Sequence, residues 1–305
     1  MTVRLTIDRA RWWGHVTDVA DAVDGLIPVV KGNGYGIGRL ALADLAAELS
    51  PIIAVGTVHE LDGLPDRVVP VVLTPTLAAP SNEVPVLTVA SQAHIDALEG
   101  WHGRVIVKLQ SNMRRYGGTV DLVRRAHDAG LRTVGVAIHP PTAGSDEDHR
   151  DQVVRLLPQI DPSLDVWVSH LAPTTYASLP TTHRYRLRVG TYLWHGDREA
   201  LRLQADVLDT RRVDARTPAG YHQVEVPGNG TLVMVGAGTA NGVTTLPDGR
   251  SPFHHIRRRI DLVEPPHMHT SMLYIPFGQK VPDIGEWIDV QRPLTMTEPD
   301  VVVWT

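Results

Sequence analysis

The sequence predicts an α/β protein: a (β/α)8 TIM-type barrel followed by a C-terminal β domain. Three observations carry that expectation. Eight short apolar, β-branched runs recur through the first two thirds of the chain, amphipathic stretches alternate with several of them, and after about residue 200 the helical pattern stops. Continuously apolar strands that alternate with helices argue a parallel sheet buried on both faces, and eight such units close into a barrel.

In chain order the strands are LIPVV (26–30), IIAVGT (52–57), VPVVLTP (69–75), VPVLTV (84–89), RVIVKLQ (104–110), TVGVAIHP (133–140), DVWVSHL (165–171) and RLRVGTYL (186–193). Between them LALADLAAEL (40–49), SQAHIDALEG (91–100), TVDLVRRAHDAG (119–130) and DHRDQVVRLLPQI (148–160) have helical apolar spacing. From LQADVLDTRRV onward, polar alternation and turn signals replace that texture. Residues 1–198 are therefore expected to form the barrel and 199–305 the β domain.

Composition narrows the function classes. The 305 residues are 43% hydrophobic and 21% charged, enough for a substantial core, with a net charge of -5. No basic block offers a footprint for nucleic acid, and no apolar run reaches the ~18 residues of a membrane helix. The charged N-terminus MTVRLTIDRARWWGHV lacks the apolar centre of a signal peptide, so the expected location is cytoplasmic. With no cysteine, disulfides and thiolate metal sites are excluded, which leaves metal chemistry to 15 histidines and the carboxylates.

In a parallel barrel, chemistry collects at the C-terminal ends of the strands. Lys31, Arg115, His139, Thr174 and Arg188 all stand at or just past such ends. A lone lysine at a strand end is usually a solvated charge. Lys31, however, closes an apolar run and opens into the glycine-rich GNGYGIG. A desolvated lysine loses its proton readily and becomes the imine-forming amine that a pyridoxal-phosphate enzyme requires.

Five segments, in order, resemble the alanine racemase family of fold-type III pyridoxal-phosphate enzymes. They are VVKGNGYGIG (29–38), KLQSNMRRYGG (108–118), SHLAPTTY (169–176), LRVGTYLWHG (187–196) and HMHTSMLYIP (267–276). The resemblance implies that Lys31 holds pyridoxal 5'-phosphate as an internal aldimine and that Tyr35, Thr174, Gly190 and Thr191 hold its phosphate. It implies His139 beside the pyridine ring, Arg115 beside the phenolic oxygen, Arg188 facing the pyridine nitrogen, and Lys108 at a position that is sometimes carbamylated to brace that arginine. An arginine keeps its proton, so the ring is a weaker electron sink, and Cα proton transfer is the implied chemistry. The implied enzyme is an amino-acid racemase or epimerase acting on an external aldimine. It would work as a head-to-tail homodimer in which Met268 approaches the partner's site.

Two departures qualify the resemblance. In VGAGTANGV (235–243), Thr239 stands where the family has a catalytic tyrosine and Asn241 where it has an aspartate. A threonine hydroxyl is a poor base, so altered or weakened activity is expected. The chain also ends at MTEPDVVVWT, where the family continues, which reads as a divergent, C-terminally shortened member. Two alternatives stay open: a lyase or aldolase, metal-assisted if His267 and His269 share a strand face, or a cofactor-binding protein without catalysis.

Overall fold

The computed structural model describes residues 2–305. By internal contacts the chain forms two compact units. One comprises Trp13–Gly34 and Gly38–Gly196; the other comprises the stretch up to Trp12, Tyr35–Ile37 and Asp197–Thr305.

After β1 (Val3–Ile7) and α1 (Arg9–Asp21), the first unit contains β2 (Leu26–Pro28), α2 (Arg39–Leu49), β3 (Ile52–Val55), β4 (Val69–Val72), β5 (Val86–Val89), α3 (Gln92–Asp96), β6 (Arg104–Lys108), α4 (Asp121–Asp128) and β7 (Arg132–Ala137). It continues with α5 (Asp146–Leu156), β8 (Asp165–Ser169), α6 (Pro173–Ala177), β9 (Tyr185–Val189) and α7 (Thr191–His195). The strands form one parallel sheet in the order β2-β9-β8-β7-β6-β5-β4-β3. It closes where Val29 bridges Ala54, the Val30 N–H donating to the Ala54 carbonyl at 2.8 Å. All eight expected strands are present. Seven of them stop short of the end of their apolar run, and β5 instead starts two residues late. Ile27, Val29, Ala54, Val71, Val86, Ile106, Ala137 and Trp167 fill the interior. That double-sided burial is why the strands read as unbroken apolar runs.

The second unit contains β10 (Leu201–Val213), β11 (Pro218–Ala219), β12 (Val224–Glu225), β13 (Gly230–Val235), β14 (Phe253–His255), β15 (Arg258–Arg259), β16 (Asp261–Leu262), β17 (Ser271–Pro276), β18 (Trp287–Val290) and β19 (Val301–Trp304). β10 is its spine, pairing antiparallel with β1, β13 and β18. The expected division at 198/199 is corrected at the N-terminus. β1 lies between β10 and β19, not in the barrel. Its sequence VRLTI alternates buried and half-exposed positions, the signature of a sheet with one dry face. Among the described residues no helix is long and apolar enough to cross a membrane.

Candidate active site

Lys31 follows β2 at the C-terminal mouth of the barrel. Partial burial of its amine, then Arg115, lowers its pKa; Glu60 opposes that shift and Arg188 adds to it. Glu60 is held by the Gly56 N–H, which donates to its Oε2 at 2.7 Å. A Cβ on Gly56 would lie 2.9 Å from Glu60 Oε1 and 3.3 Å from Lys31 Cβ, so the glycine is what lets the carboxylate and the lysine stem close on one spot.

β6 ends on Lys108, only 3% exposed. The chain then loops out and back. Gly118 donates to the Lys108 carbonyl at 3.0 Å, and Gln110 donates to the Gly118 carbonyl at 2.9 Å. Gly117 has φ +146°, and a Cβ there would lie 2.6 Å from the Leu109 oxygen, so only glycine closes this loop. Closure folds Tyr116 over the strand end. Lys108 Nζ lies 4.6 Å and Arg115 Cζ 4.5 Å from the centre of its ring. Burial, followed by Arg188, Arg115 and Lys31, lowers the Lys108 amine to about 7.

Arg188, on β9, is 7% exposed. Its Nη2 donates to the carbonyls of Ile138 at 3.0 Å and Trp167 at 3.3 Å, and its Nε donates to that of Val168 at 3.3 Å. These bonds engage Nε and Nη2, leaving the Nη1 donors for something else. Burial lowers its pKa to about 10 against a raising influence from Tyr116, and the group stays cationic at neutral pH. His139 is pushed down to about 2 by burial and by Arg188 and Lys108, so its ring is neutral. It lies 4.5 Å from the His170 ring, and its buried Nδ1 has no partner. Thr174 sits exposed on α6, and Gly190 and Thr191 open α7. The Trp194 Nε1 donates to the Val29 carbonyl at 2.7 Å, fixing that helix to the strand that leads to Lys31.

The remaining candidates fall in the other unit. Tyr35 is buried with φ 57°, and burial raises its hydroxyl to about 12, which keeps it a neutral donor. Thr239 is exposed; its N–H donates to the His267 carbonyl at 2.8 Å and that of Ala240 to the Met268 carbonyl at 2.9 Å. Met268 beside it is 65% exposed. Asn241 is a buried structural group, its amide donating to the Glu298 carbonyl at 3.1 Å and to Asp300 Oδ1 at 3.3 Å. The expectation that 267–276 is one strand is corrected. The His267 N–H donates to the Thr270 carbonyl at 2.9 Å, making a turn before β17, so His267 and His269 do not share a strand face. His267 Nε2 instead bonds Glu264 Oε1 at 2.6 Å. Among the described residues no group of three acidic or histidine side chains converges on a metal position.

The profile of the alanine racemase N-terminal domain matches residues 7–197. The chain belongs to the alanine racemase family. Among solved structures, the family's enzyme from Bartonella henselae, described with covalently bound pyridoxal phosphate, superposes with a TM-score of 0.76 over 100% of both chains at 16% identity. That from Bacillus anthracis gives 0.77 over 99% of this chain and 87% of the other at 18% identity. The alanine racemase from a D-cycloserine-producing Streptomyces lavendulae gives 0.74 over 100% and 97% at 19%. A search of curated proteins returned no match. At these identities the structures establish the family's fold.

The mouth fits the family's cofactor on its own terms: an amine of lowered pKa, a buried arginine with donors to spare and a buried ring nitrogen without a partner suit an anionic heteroaromatic ligand. Sequence reasoning missed Glu60 and Tyr116. Tyr116 adjoins Arg115 in a segment the family resemblance already marked, so adjacency was the available signal; nothing in TVHELDG marks Glu60.

Proposed function

We propose that this protein is a pyridoxal-phosphate-dependent amino-acid racemase or epimerase of weakened or altered activity. The observation that carries the reading is the convergence of Lys31, Lys108, Arg115 and Arg188 on one mouth, where Arg115 and Arg188 help lower the pKa of both lysines and Lys31 adds to the shift at Lys108. Such a set of cations waits for an anion. Bound there, pyridoxal phosphate supplies the conjugated system that accepts the electron pair left when Cα loses its proton. Thr174, Gly190 and Thr191 would hold the phosphate, His139 would lie along the ring, and Arg115 would meet the phenolic oxygen. Arg188 donates hydrogen bonds and keeps its proton, which favours proton transfer at Cα over decarboxylation. Lys31, with its lowered pKa, takes or returns the Cα proton on one face.

The opposite face is assigned to Thr239 of a second copy in a head-to-tail homodimer, with Met268 at its side. Support comes from the exposure of both residues and from the backbone bonds that join their loops. A hydroxyl of threonine type transfers protons poorly, hence the weakened activity. Incubation with pyridoxal phosphate followed by borohydride should fix the label on Lys31. Incubation of amino acids in deuterated water should then give slow Cα exchange. Label on Lys108, or a keto product in place of exchange, would overturn the assignment.

A further inference from the structure

We propose that the ring of Tyr116 is the positioning element of this mouth, holding the Arg115 guanidinium and the Lys108 amine against its π system so that Arg115 faces its ligand. The role of Arg115 rests on the function proposed above; the packing does not. Among the described residues neither cation pairs with a carboxylate, yet both lie within 4.6 Å of one ring centre. An aromatic face offers negative potential without a countercharge, which is how cations can be held beside one another in a site that must also accept an anion. The geometry is built in: the bonds from Gly118 to Lys108 and from Gln110 to Gly118 close the loop, and Gly117 permits it. Lys108 faces Arg188 from β9, Arg115 from its own loop, Lys31 from beyond β2 and His139 from beyond β7. All of these are cationic or neutral, so the Tyr116 ring is the group packed here that favours the ammonium form.

The chain has three lysines, Lys31, Lys108 and Lys280, so carbon-labelled lysine gives three ε-methylene signals. Their pH titration in the cofactor-free protein reads Lys108 directly, with exposed Lys280 as the control. Tyr116→Leu should move the Lys108 midpoint down by about half to one pH unit from a starting value near 7. Tyr116→Phe, which keeps the face, should leave it in place. The same pair should part in affinity for pyridoxal phosphate, the leucine variant binding roughly 3–10-fold more weakly and the phenylalanine variant as the parent does. Tyr116→Met repeats the comparison if the leucine variant fails to fold. An unmoved midpoint in the leucine or methionine variant, or an equal shift with phenylalanine, overturns the proposal. A parent that binds no pyridoxal phosphate overturns the proposed function instead, and the titration still decides the role of Tyr116.

Discussion

The mouth of the barrel and the loops around Glu264 handle buried charge in opposite ways. Among the described residues Lys108, Arg115 and Arg188 lack a carboxylate partner, and burial followed by Arg188, Arg115 and Lys31 pushes the Lys108 pKa down. Glu264, on the β unit, is saturated: it accepts from the Tyr221 N–H at 2.8 Å, the His222 N–H at 3.0 Å, the His222 ring at 2.7 Å and the His267 ring at 2.6 Å. Burial alone would raise its carboxyl, but these donors overcome that and lower it to about 2. One region is left unsatisfied where a ligand would complete it. The other is complete and serves to hold the turn that carries Met268.

The largest expected effect tests whether those loops also do chemistry. Thr239→Tyr should raise alanine racemisation by roughly 10²–10⁴-fold, the usual worth of a placed acid–base group, measured by polarimetry or coupled assay. Robust racemisation by the parent would point to a different second base.

Next comes charge at the mouth. A lysine whose pKa is depressed in the folded state destabilises the fold fully below the folded value, and the penalty fades as pH rises to the unfolded value. For Lys108 that window runs from about 7 to 10.5. Lys108→Met should therefore stabilise the protein at pH 7 by on the order of a few kcal/mol, with the advantage over the parent shrinking toward pH 10 in urea titrations.

Glu264→Ala should act in the opposite direction. It strands two backbone N–H groups and two imidazoles, a loss of roughly 2–3 kcal/mol at neutral pH by the same urea titrations. If both substitutions destabilise alike, the contrast between the two regions fails. The smallest effect concerns Glu60. Since it raises the Lys31 pKa, Glu60→Gln should lower that midpoint and speed cofactor attachment at mildly acidic pH, measured by absorbance after mixing.

The barrel was legible in the sequence because its strands are buried on both faces and so appear as unbroken apolar runs. β1 was misplaced because five alternating residues carry no label saying which sheet they join. The strand expected at 267–276 lost its first four residues to a turn, since HMHT has no turn residue to announce the bond from His267 to Thr270. Lys31, Arg188 and His139 could be read because each occupies a strand or closely follows one. The meeting of Tyr116 with Lys108 depends on a loop closing back on itself, and no periodicity records that.

The barrel is stitched unevenly. β5–β6 and β6–β7 are joined by ladders of four and five residue pairs, whereas β4 and β5 share the single pair Val71–Val86 and β2 and β3 meet at the Val29–Ala54 bridge. Deuterium should therefore enter the barrel earlier at these two seams, as at the Val30 amide whose bond to Ala54 crosses one of them, than at the β6 amides. Lys31 is the next residue along. The lysine thus rides beside one of the two sparsely paired seams of the wall, which gives a bulky ligand a way to reach it without unfolding the barrel.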